Sequence, residues 1–303
     1  MEQQHAQIAL LRRSILDDIF KDLDSSFARR WLRRFLEPIA WPSANRFAEI
    51  ASRFDQYVMR SGFRDAMSQI LPNFVSGFEV CGDNRIPEDG PLLVVSNHPG
   101  TYDSLVIAAA LPRNDLNIIA SGFPVLRRLP SASKHLIFAS EDIHERMAVV
   151  RSAIRHLRDG GSLLIFPGGR VEPDPAVLPG AEESMSVWSP SLEVFLSRVP
   201  QTRVLVTIVS GVLAPNFLNS PLIRLWRGMR DPQTVAEVIQ VVTQMLFPKR
   251  IQLKPKITFG LPMTLDELHK WGGSQGIIGS IIGRAKQLLE EHDLWIRDEP
   301  CRS

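Results

Sequence analysis

Residues 97–103 read Asn-His-Pro-Gly-Thr-Tyr-Asp, and this segment, the histidine block, pairs a histidine with a carboxylate five positions later. A carboxylate that accepts a hydrogen bond from one ring nitrogen fixes the histidine tautomer, and the other nitrogen can then remove a proton from a substrate hydroxyl. The block directly follows the apolar run 92–96, which has the length of a buried strand, and α/β sheets bind ligands beyond the carboxyl ends of their strands. We therefore predict that His98 and Asp103 form a general-base pair that works without a nucleophile from the protein.

The same spacing has a plainer interpretation. Asp103 also stands where it can cap a helix predicted over residues 104–111, since aspartate is a preferred N-cap residue. His98 would then be an ordinary loop residue. The histidine block alone leaves both interpretations open.

A second segment, the glycine block, covers residues 165–172 and reads Ile-Phe-Pro-Gly-Gly-Arg-Val-Glu. It also follows a strand-like run, and its glycines allow the backbone to approach a ligand closely. The guanidinium of Arg170 offers a planar fork of donors to a phosphate or a carboxylate. Taken alone, however, this block favours an ordinary turn with a solvated arginine.

Short apolar runs alternate with helical patterns from residue 77 onward. This alternation predicts an α/β domain over residues 77–303, with a largely parallel central sheet and helices on both faces. Apolar residues at helical spacing predict an N-terminal helical segment over residues 1–76. The clearest helices are predicted over 144–158, before a Gly-Gly turn, and over 234–246, after an Asp-Pro pair. The predicted strands are 92–96, 117–120, 136–139, 163–166, 204–209 and 256–259.

In this order and spacing, the two blocks resemble those of the glycerolipid acyltransferase family, which includes the glycerol-3-phosphate and lysophosphatidate acyltransferases. The resemblance covers about residues 77–262. In that family an Asn-His-x4-Asp block follows the first core strand, and a Phe-Pro-Glu-Gly-Thr-Arg block follows a later strand. The resemblance implies that His98 is the general base and that Asp103 orients it. The substrate-binding residues that it implies are Asn97, Gly100, Pro167, Gly168, Gly169, Arg170 and Glu172.

The glycine block departs from the family pattern at two positions. Gly168 stands in place of the family glutamate, and Arg170 comes one position earlier than the family arginine, where this chain has Val171. The string Pro-Gly-Gly followed shortly by an acid, Glu172, looks more like acyltransferases whose acceptors are neutral alcohols.

A further departure concerns the middle block of the family, which normally ends in an arginine. Residues 137–140 read Ile-Phe-Ala-Ser and lack that arginine. Arg127 and Arg128 are nearby and are either its substitutes or a solvated basic pair.

The resemblance implies an enzyme that moves a fatty acyl group from an acyl thioester, on coenzyme A or acyl carrier protein, to the hydroxyl of a glycerolipid acceptor. We expect a phosphorylated acceptor rather than a neutral one, because Arg170 would neutralise its charge. No cofactor and no metal are expected. One alternative is a lipid-binding protein that kept the fold without the chemistry, and another is an acyltransferase for neutral alcohols. A serine hydrolase is disfavoured because the chain contains no Gly-x-Ser-x-Gly motif.

Composition limits the partners and the surroundings. The chain has 303 residues, of which 44% are hydrophobic and 22% charged, and this excludes a mostly disordered protein. A net charge of +2 gives no basis for nucleic-acid binding. Cys81 and Cys301 stand far apart and without a metal-ligand pattern, so we expect neither a disulfide nor a thiol-bound metal, and a reducing cytoplasm.

Contact with a membrane surface is expected because a lipid acceptor must be reached. The sequence predicts neither a signal peptide nor a membrane span, since the uncharged run 204–223 contains several polar residues. Residues 29–36 read Arg-Arg-Trp-Leu-Arg-Arg-Phe-Leu, which suits an amphipathic helix at an anionic membrane surface and equally a helix packed on its own core. We predict peripheral contact with the inner face of the membrane through Trp31 and Phe35.

Overall fold

The structure is a computed structural model. It describes residues 2–20, 27–121, 124–139, 142–221, 223, 231–248, 250–272 and 276–297. The helices in this part of the chain are α1 (Glu2–Phe20), α2 (Phe27–Ser61), α3 (Phe63–Ile70), α4 (Asp103–Ala110), α5 (Ile143–Arg158), α6 (Ala181–Met185), α7 (Ser191–Arg198), α8 (Pro215–Leu218), α9 (Pro232–Leu246), α10 (Leu265–Gly272) and α11 (Gly276–Ile296). The strands are β1 (Glu79–Cys81), β2 (Leu92–Ser96), β3 (Leu116–Ser121), β4 (Leu136–Ala139), β5 (Ser162–Ile165), β6 (Arg203–Ser210) and β7 (Lys256–Phe259).

These strands form a single sheet in the order β1-β7-β6-β2-β5-β3-β4. Neighbouring strands are parallel except β6 and β7, which are antiparallel. The predicted α/β fold with a largely parallel sheet is confirmed. Strand β1 was not predicted, because three residues at the edge of a sheet are too short to show a period in the sequence.

Strand β2 lies inside the sheet and has helices on both of its faces. All five of its residues are buried, which explains the unbroken apolar run in the sequence. Leu92 and Val94 belong to one hydrophobic cluster and Leu93 and Val95 to the other, as the two-residue period of a strand requires. Helices α1 to α4 and α9 contribute buried residues to the first cluster, whereas α5, α7 and α11 contribute to the second.

Helices α1, α2 and α3 make up most of the predicted N-terminal helical segment. Leu11 of α1 and Phe54 of α2 belong to the same hydrophobic cluster as Leu92 of the sheet. Helix α2 also contacts α9, where the hydroxyl of Ser43 donates to the carbonyl of Val242 at 3.2 Å. The division of the chain at residue 76 stays a prediction.

The two clearest predicted helices are present. The helix predicted over 144–158 is α5, and the one predicted over 234–246 is α9, which begins two residues earlier than expected. The cause of the early start is Asp231, whose carboxylate accepts from the backbone N–H groups of Gln233 at 2.9 Å and Thr234 at 3.2 Å. Pro232 fits the first helical position because it has no N–H to satisfy.

The expectation that the cysteines form no disulfide is wrong for Cys81, which is disulfide-bonded. The other cysteine of the sequence, Cys301, lies outside the described residues. The separation of the two positions in the sequence was a poor guide, because a disulfide depends on how close the Cα atoms come in space. Within the described ranges, no helix is both long enough and apolar enough to cross a membrane.

Candidate active site

The histidine block and the glycine block lie side by side because the strands before them are neighbours. Strands β2 and β5 run parallel, with Val95 opposite Ile165, so both blocks start at the same edge of the sheet. The imidazole of His98 stacks on the ring of Phe166, with centroids 4.4 Å apart. The backbone N–H of Glu172 donates to the carbonyl of His98 at 2.7 Å. The two blocks that are far apart in sequence thus form one site.

His98 contacts Asp103 as the sequence predicted. The distance between His98 Nδ1 and Asp103 Oδ2 is 2.6 Å, and the carboxylate is completely buried. The backbone N–H of Gly100 donates to the same oxygen at 3.2 Å. Helix α4 begins at Asp103 itself, and the N-cap residue is Tyr102, whose side chain makes no capping hydrogen bond. The contact engages Nδ1 and leaves Nε2 for a substrate.

The carboxylates around His98 control its protonation. Burial by itself lowers the pKa of His98, but the charge and the hydrogen bond of Asp103, together with the charges of Glu237 and Glu172, raise that pKa to about 8. The side chain keeps 26% of its surface exposed, so the imidazole reaches solvent. The site therefore favours the imidazolium that forms when the histidine takes up a proton.

Asn97 lies behind the histidine and joins two strands. Its Nδ2 donates to the carbonyl of Val209 at 2.9 Å, and its Oδ1 accepts from the N–H of the same residue at 2.8 Å. The side chain is buried. These bonds fix the end of β2 against β6, and a direct contact of Asn97 with substrate stays a prediction.

Glu172 is a buried residue of the glycine block. It is 2% exposed; its Oε1 accepts from the indole N–H of Trp188 at 2.8 Å, and its Oε2 accepts from the backbone N–H of His98 at 3.4 Å. Burial raises the pKa of this carboxyl. A Cβ on Gly168 would lie 2.0 Å from Glu172 Oε1. Glycine at position 168 is therefore required by the carboxylate of Glu172, which fills the space beside it.

The rest of the glycine block is an open turn. Gly169 has φ of 66°, which favours glycine, and its N–H donates to the carbonyl of Phe166 at 3.1 Å. Arg170 is exposed at the tip of this turn. The carbonyl of Pro167 accepts from the N–H of Ser189 at 3.1 Å. The predicted substrate contacts of these residues stay predictions.

Helix α9 carries a row of buried polar side chains that the sequence analysis missed. Gln233 donates through Nε2 to the carbonyls of Pro99, at 2.8 Å, and Glu172, at 2.9 Å, and so ties the two blocks together. Gln244 accepts from the hydroxyl of Tyr102. The row comprises Gln233, Glu237, Gln240 and Gln244, all buried. The sequence did contain a signal for this row: the spacing of four, three and four residues keeps the long polar side chains on one face of an otherwise apolar helix.

Asp174 is a second residue that the sequence analysis missed. It is completely buried, and its carboxylate accepts from the backbone N–H groups of Ala176, Gly211, Val212 and Leu213 at 2.9–3.1 Å. Burial raises the pKa of Asp174, and these four donors oppose the increase. The carboxylate therefore anchors the chain after the glycine block to the end of β6.

A cavity of about 540 Å³ opens beside this anchor. Its walls include Gly211, Leu213 and Phe217, and the cations Arg250 and Lys254. Neither of the two blocks contributes to its lining. Across the ranges that the structure describes, no group of three or more histidine, cysteine, aspartate or glutamate side chains could hold a metal ion.

The segment aligned with the family's middle block lies at the edge of the sheet, three strands from β2. Residues 137–139 belong to β4, and Ser140 lies outside the described residues. The guanidinium of Arg127 lies 4.2 Å from the ring centroid of Phe138. Arg127 and Arg128 are both exposed, and a role as substitutes for the family arginine stays a prediction.

Comparison with known proteins finds a family model that matches the part of the chain with the two blocks. The chain is similar to a solved structure of the 1-acyl-sn-glycerophosphate (LPA) acyltransferase PlsC from Thermotoga maritima, at 18% identity over 82% of this chain and 81% of that chain, with a TM-score of 0.43. No curated protein matches the chain. The family model described as Acyltransferase matches residues 77–191. That range contains both blocks, and the resemblance of the two blocks to an acyltransferase family is confirmed.

Proposed function

We propose that the protein transfers a fatty acyl group from an acyl thioester, carried by coenzyme A or acyl carrier protein, to the hydroxyl of a glycerolipid acceptor. The observation that carries this proposal is the 2.6 Å contact between His98 Nδ1 and Asp103 Oδ2 at the end of a central strand, within the range that the Acyltransferase model matches. A base with a buried carboxylate behind it suits the activation of a hydroxyl.

The proposed reaction balances without a nucleophile from the protein. The acceptor hydroxyl gives its proton to His98 Nε2 while its oxygen attacks the thioester carbonyl carbon. The tetrahedral intermediate collapses, the carbon–sulfur bond breaks, and the leaving thiolate takes the proton from the imidazolium. Asp103 holds the ring in place and stabilises its positive charge between the two proton transfers.

The oxyanion of the intermediate needs hydrogen-bond donors. Backbone N–H groups in the glycine-rich turns of the two blocks could supply them, but the N–H of Gly100 donates to the carboxylate of Asp103 and the N–H of Gly169 donates to the carbonyl of Phe166. We therefore assign this role to the N–H of Gly168, which lies in the turn next to Phe166, the residue on which His98 stacks.

We propose a phosphorylated acceptor, with Arg170 as a phosphate contact. The string that ends in Glu172 looks like that of neutral-alcohol acyltransferases, and a carboxylate there would accept a hydrogen bond from an alcohol. In the structure both of its oxygens are engaged, by Trp188 and by the backbone of His98, so it is poorly placed for that role. Arg170 is exposed at the same turn, where an incoming phosphate can be reached.

The acceptor class is tested by the KM for a lysophosphatidate and for a monoacylglycerol. In Arg170→Ala we expect a rise of about tenfold or more for the phosphorylated acceptor alone, because a charge-assisted contact contributes roughly 1.5–3 kcal/mol. Arg198→Ala, at an exposed position on α7, is the matched control. Equal use of both acceptors, unchanged in Arg170→Ala, would favour the neutral-alcohol alternative.

We also propose peripheral contact with a membrane through helix α2. Phe35 is 54% exposed and Ile39 65%, and these two side chains, four positions apart, lie on one face of the helix with Arg34 exposed beside Phe35. The side chain of Trp31 lies outside the described residues.

Co-sedimentation with vesicles that contain anionic lipid tests the membrane contact. We expect the double variant Phe35→Glu, Ile39→Glu to lose most of the binding. The double variant Phe247→Glu, Leu261→Glu is the matched control because it places the same two charges at apolar residues of similar exposure, each 51%, outside α2. Unchanged binding of the α2 double variant would remove this helix from the proposal.

The activity itself is tested with purified protein, a labelled acyl-coenzyme A or acyl carrier protein, and a panel of glycerolipid acceptors analysed by lipid mass spectrometry. The expected result is an acylated lipid with the parent chain and none with folded His98→Ala. Product formation by folded His98→Ala at the parental rate would contradict the assignment of the base. Absence of product with every donor and acceptor, while the protein still binds the vesicles, would favour the lipid-binding alternative.

A further inference from the structure

A buried glutamate on α9 contacts the middle of the histidine block. Glu237 is 6% exposed, and its Oε2 accepts from both the backbone N–H of Thr101, at 3.0 Å, and the hydroxyl of Thr101, at 2.8 Å. The carboxylate also lies close to Gly100, where an added Cβ would be 3.0 Å from Glu237 Cδ. One side chain thus fixes the turn between His98 and Asp103, although it belongs to a helix beyond the matched range 77–191.

The other oxygen of this carboxylate is unusual. Glu237 Oε1 is buried, and within the described residues it has no hydrogen-bond partner. Leaving a buried acceptor unpaired costs roughly 1–3 kcal/mol, and more for a charged group, so such an arrangement calls for an explanation. Burial raises the pKa of Glu237 to about 7, the hydrogen bonds from Thr101 oppose this increase, and the charge of Asp103 adds to it.

The charge of Glu237 acts on the histidine. Three buried carboxylates, those of Asp103, Glu237 and Glu172, raise the pKa of His98 against the opposing effect of burial. His98 in turn lowers the pKa of Glu237. A carboxylate that lacks a full set of donors is stabilised when a positive charge forms nearby, and the imidazolium of His98 provides that charge.

We propose that Glu237 is a positioning residue for acyl transfer, which holds the Gly100–Thr101 turn through Thr101 and supports the imidazolium of His98 through its negative charge. This inference rests on the proposed function, in which His98 takes up the proton of the acceptor. Asp103 contacts the ring directly, whereas Glu237 acts through the turn and through space. The charged groups that act on these side chains are Asp103, Glu172, Glu237 and His98 themselves.

The two effects of Glu237 can be separated by substitution. Glu237→Gln keeps a carbonyl oxygen that can accept both bonds from Thr101 but removes the charge. Glu237→Leu removes both and leaves the N–H of Thr101 without its acceptor. Glu88→Gln is the matched control, since it makes the same chemical change at an exposed position.

The deciding measurement is the NMR titration of the His98 ring, assigned by comparison with His98→Gln, because it needs no substrate. We expect the titration midpoint of His98 to move to lower pH in Glu237→Gln and in Glu237→Leu and to stay unchanged in Glu88→Gln. A folded Glu237 variant whose His98 midpoint equals that of the parent would overturn the inference. If Glu237→Gln fails to fold, Glu237→Leu decides in the same way.

Kinetics then connect this result to turnover. In Glu237→Gln the limb of the pH–rate profile that rises with pH should move to lower pH. We also expect kcat to be about tenfold lower and the KM for the thioester to change little, because the support of the imidazolium is lost only in the reaction. In Glu237→Leu we expect kcat to fall about a hundredfold, since a small displacement of a catalytic group has an effect of that order. If folded Glu237→Gln kept the pH profile and the kcat of the parent, the inference would be overturned. If the parent itself showed no turnover, the proposed function would be overturned, and the NMR titration would decide whether Glu237 acts on His98.

Discussion

His98 and His292 both lie against the central sheet, but carboxylates surround the first and hydroxyl groups surround the second. His292 lies on α11 and is completely buried; its Nδ1 is 2.7 Å from the hydroxyl of Thr258, and its Nε2 is 2.7 Å from the hydroxyl of Ser210. Burial, with a smaller effect of the charge on Lys256, lowers the pKa of His292 to about 3. The neighbouring carboxylates raise that of His98 to about 8.

The comparison teaches that the neighbours of a buried imidazole decide its chemistry. Burial disfavours the protonated form of both rings, and only a negative charge nearby reverses that effect. Hydroxyl groups engage both nitrogens of His292 and keep it neutral, so it joins β6, β7 and α11. Asp103 occupies one nitrogen of His98 and leaves the other for a proton.

The largest expected effect is the loss of activity in His98→Ala. Removal of a general base reduces the rate by roughly 10²- to 10⁴-fold, and we expect this loss in kcat without unfolding, because the side chain lies on a loop and is partly exposed. Acyl-transfer rates and circular dichroism of the purified variant are the measurements. An active, folded His98→Ala would break the comparison, since the two histidines would then both be structural.

Asp103→Asn should have the next largest effect. The amide cannot supply the negative charge that stabilises the imidazolium, and it leaves the ring free to adopt the wrong tautomer. We expect kcat to fall by about 10²-fold and the NMR midpoint of His98 to move to lower pH. A midpoint equal to that of the parent would show that Asp103 is not the group that raises the pKa of His98 above that of His292.

His292→Leu should affect stability rather than chemistry. The substitution removes the partner of two buried hydroxyls, those of Ser210 and Thr258, and an unpaired buried polar group costs roughly 1–3 kcal/mol. We expect a lower free energy of unfolding in urea and an acyl-transfer kcat within about twofold of the parent under conditions where the variant is folded. A large loss of kcat with unchanged stability would assign His292 to the catalytic machinery.

The last prediction is a pair of opposite pH dependences of stability. His98 binds its proton more tightly in the folded state, so its contribution is complete below pH 6.5 and is lost as the pH rises through about 8, by up to about 2 kcal/mol. The contribution of His292 has the opposite pH dependence. Its proton is bound more tightly in the unfolded state, so the free energy of unfolding rises with pH between about 3 and 6.5.

Urea unfolding of the parent, His98→Ala and His292→Leu over pH 3–9 separates these slopes. Loss of the first histidine should flatten the curve above pH 6.5, and loss of the second should flatten it below that value. Parallel curves for all three chains would mean that neither histidine differs in proton affinity between the folded and unfolded states.

The sequence already determined the parts of this protein that local patterns encode. The apolar run of β2 marked a strand with helices on both faces, and the order of the two blocks indicated where its site lies. The contact of His98 with Asp103 was predictable because the two residues are five positions apart, in a loop between a strand and a helix. Asp231 and Pro232 set the start of α9 by the same kind of local contact, although the predicted start at residue 234 was two residues too late.

Only the tertiary structure decided which distant side chains complete the site. Glu237 meets Thr101 across 136 positions of the chain, and the carboxylate of Glu172 explains the glycine at 168 only once the backbone is folded. A periodic pattern records whether a residue is buried, but not what it is buried against. The polar row on α9 therefore gave no sign that it faces the histidine block. The physical reason is that such contacts depend on the crossing of α9 over the strand ends, which is set by packing of the whole hydrophobic core rather than by neighbours in the chain.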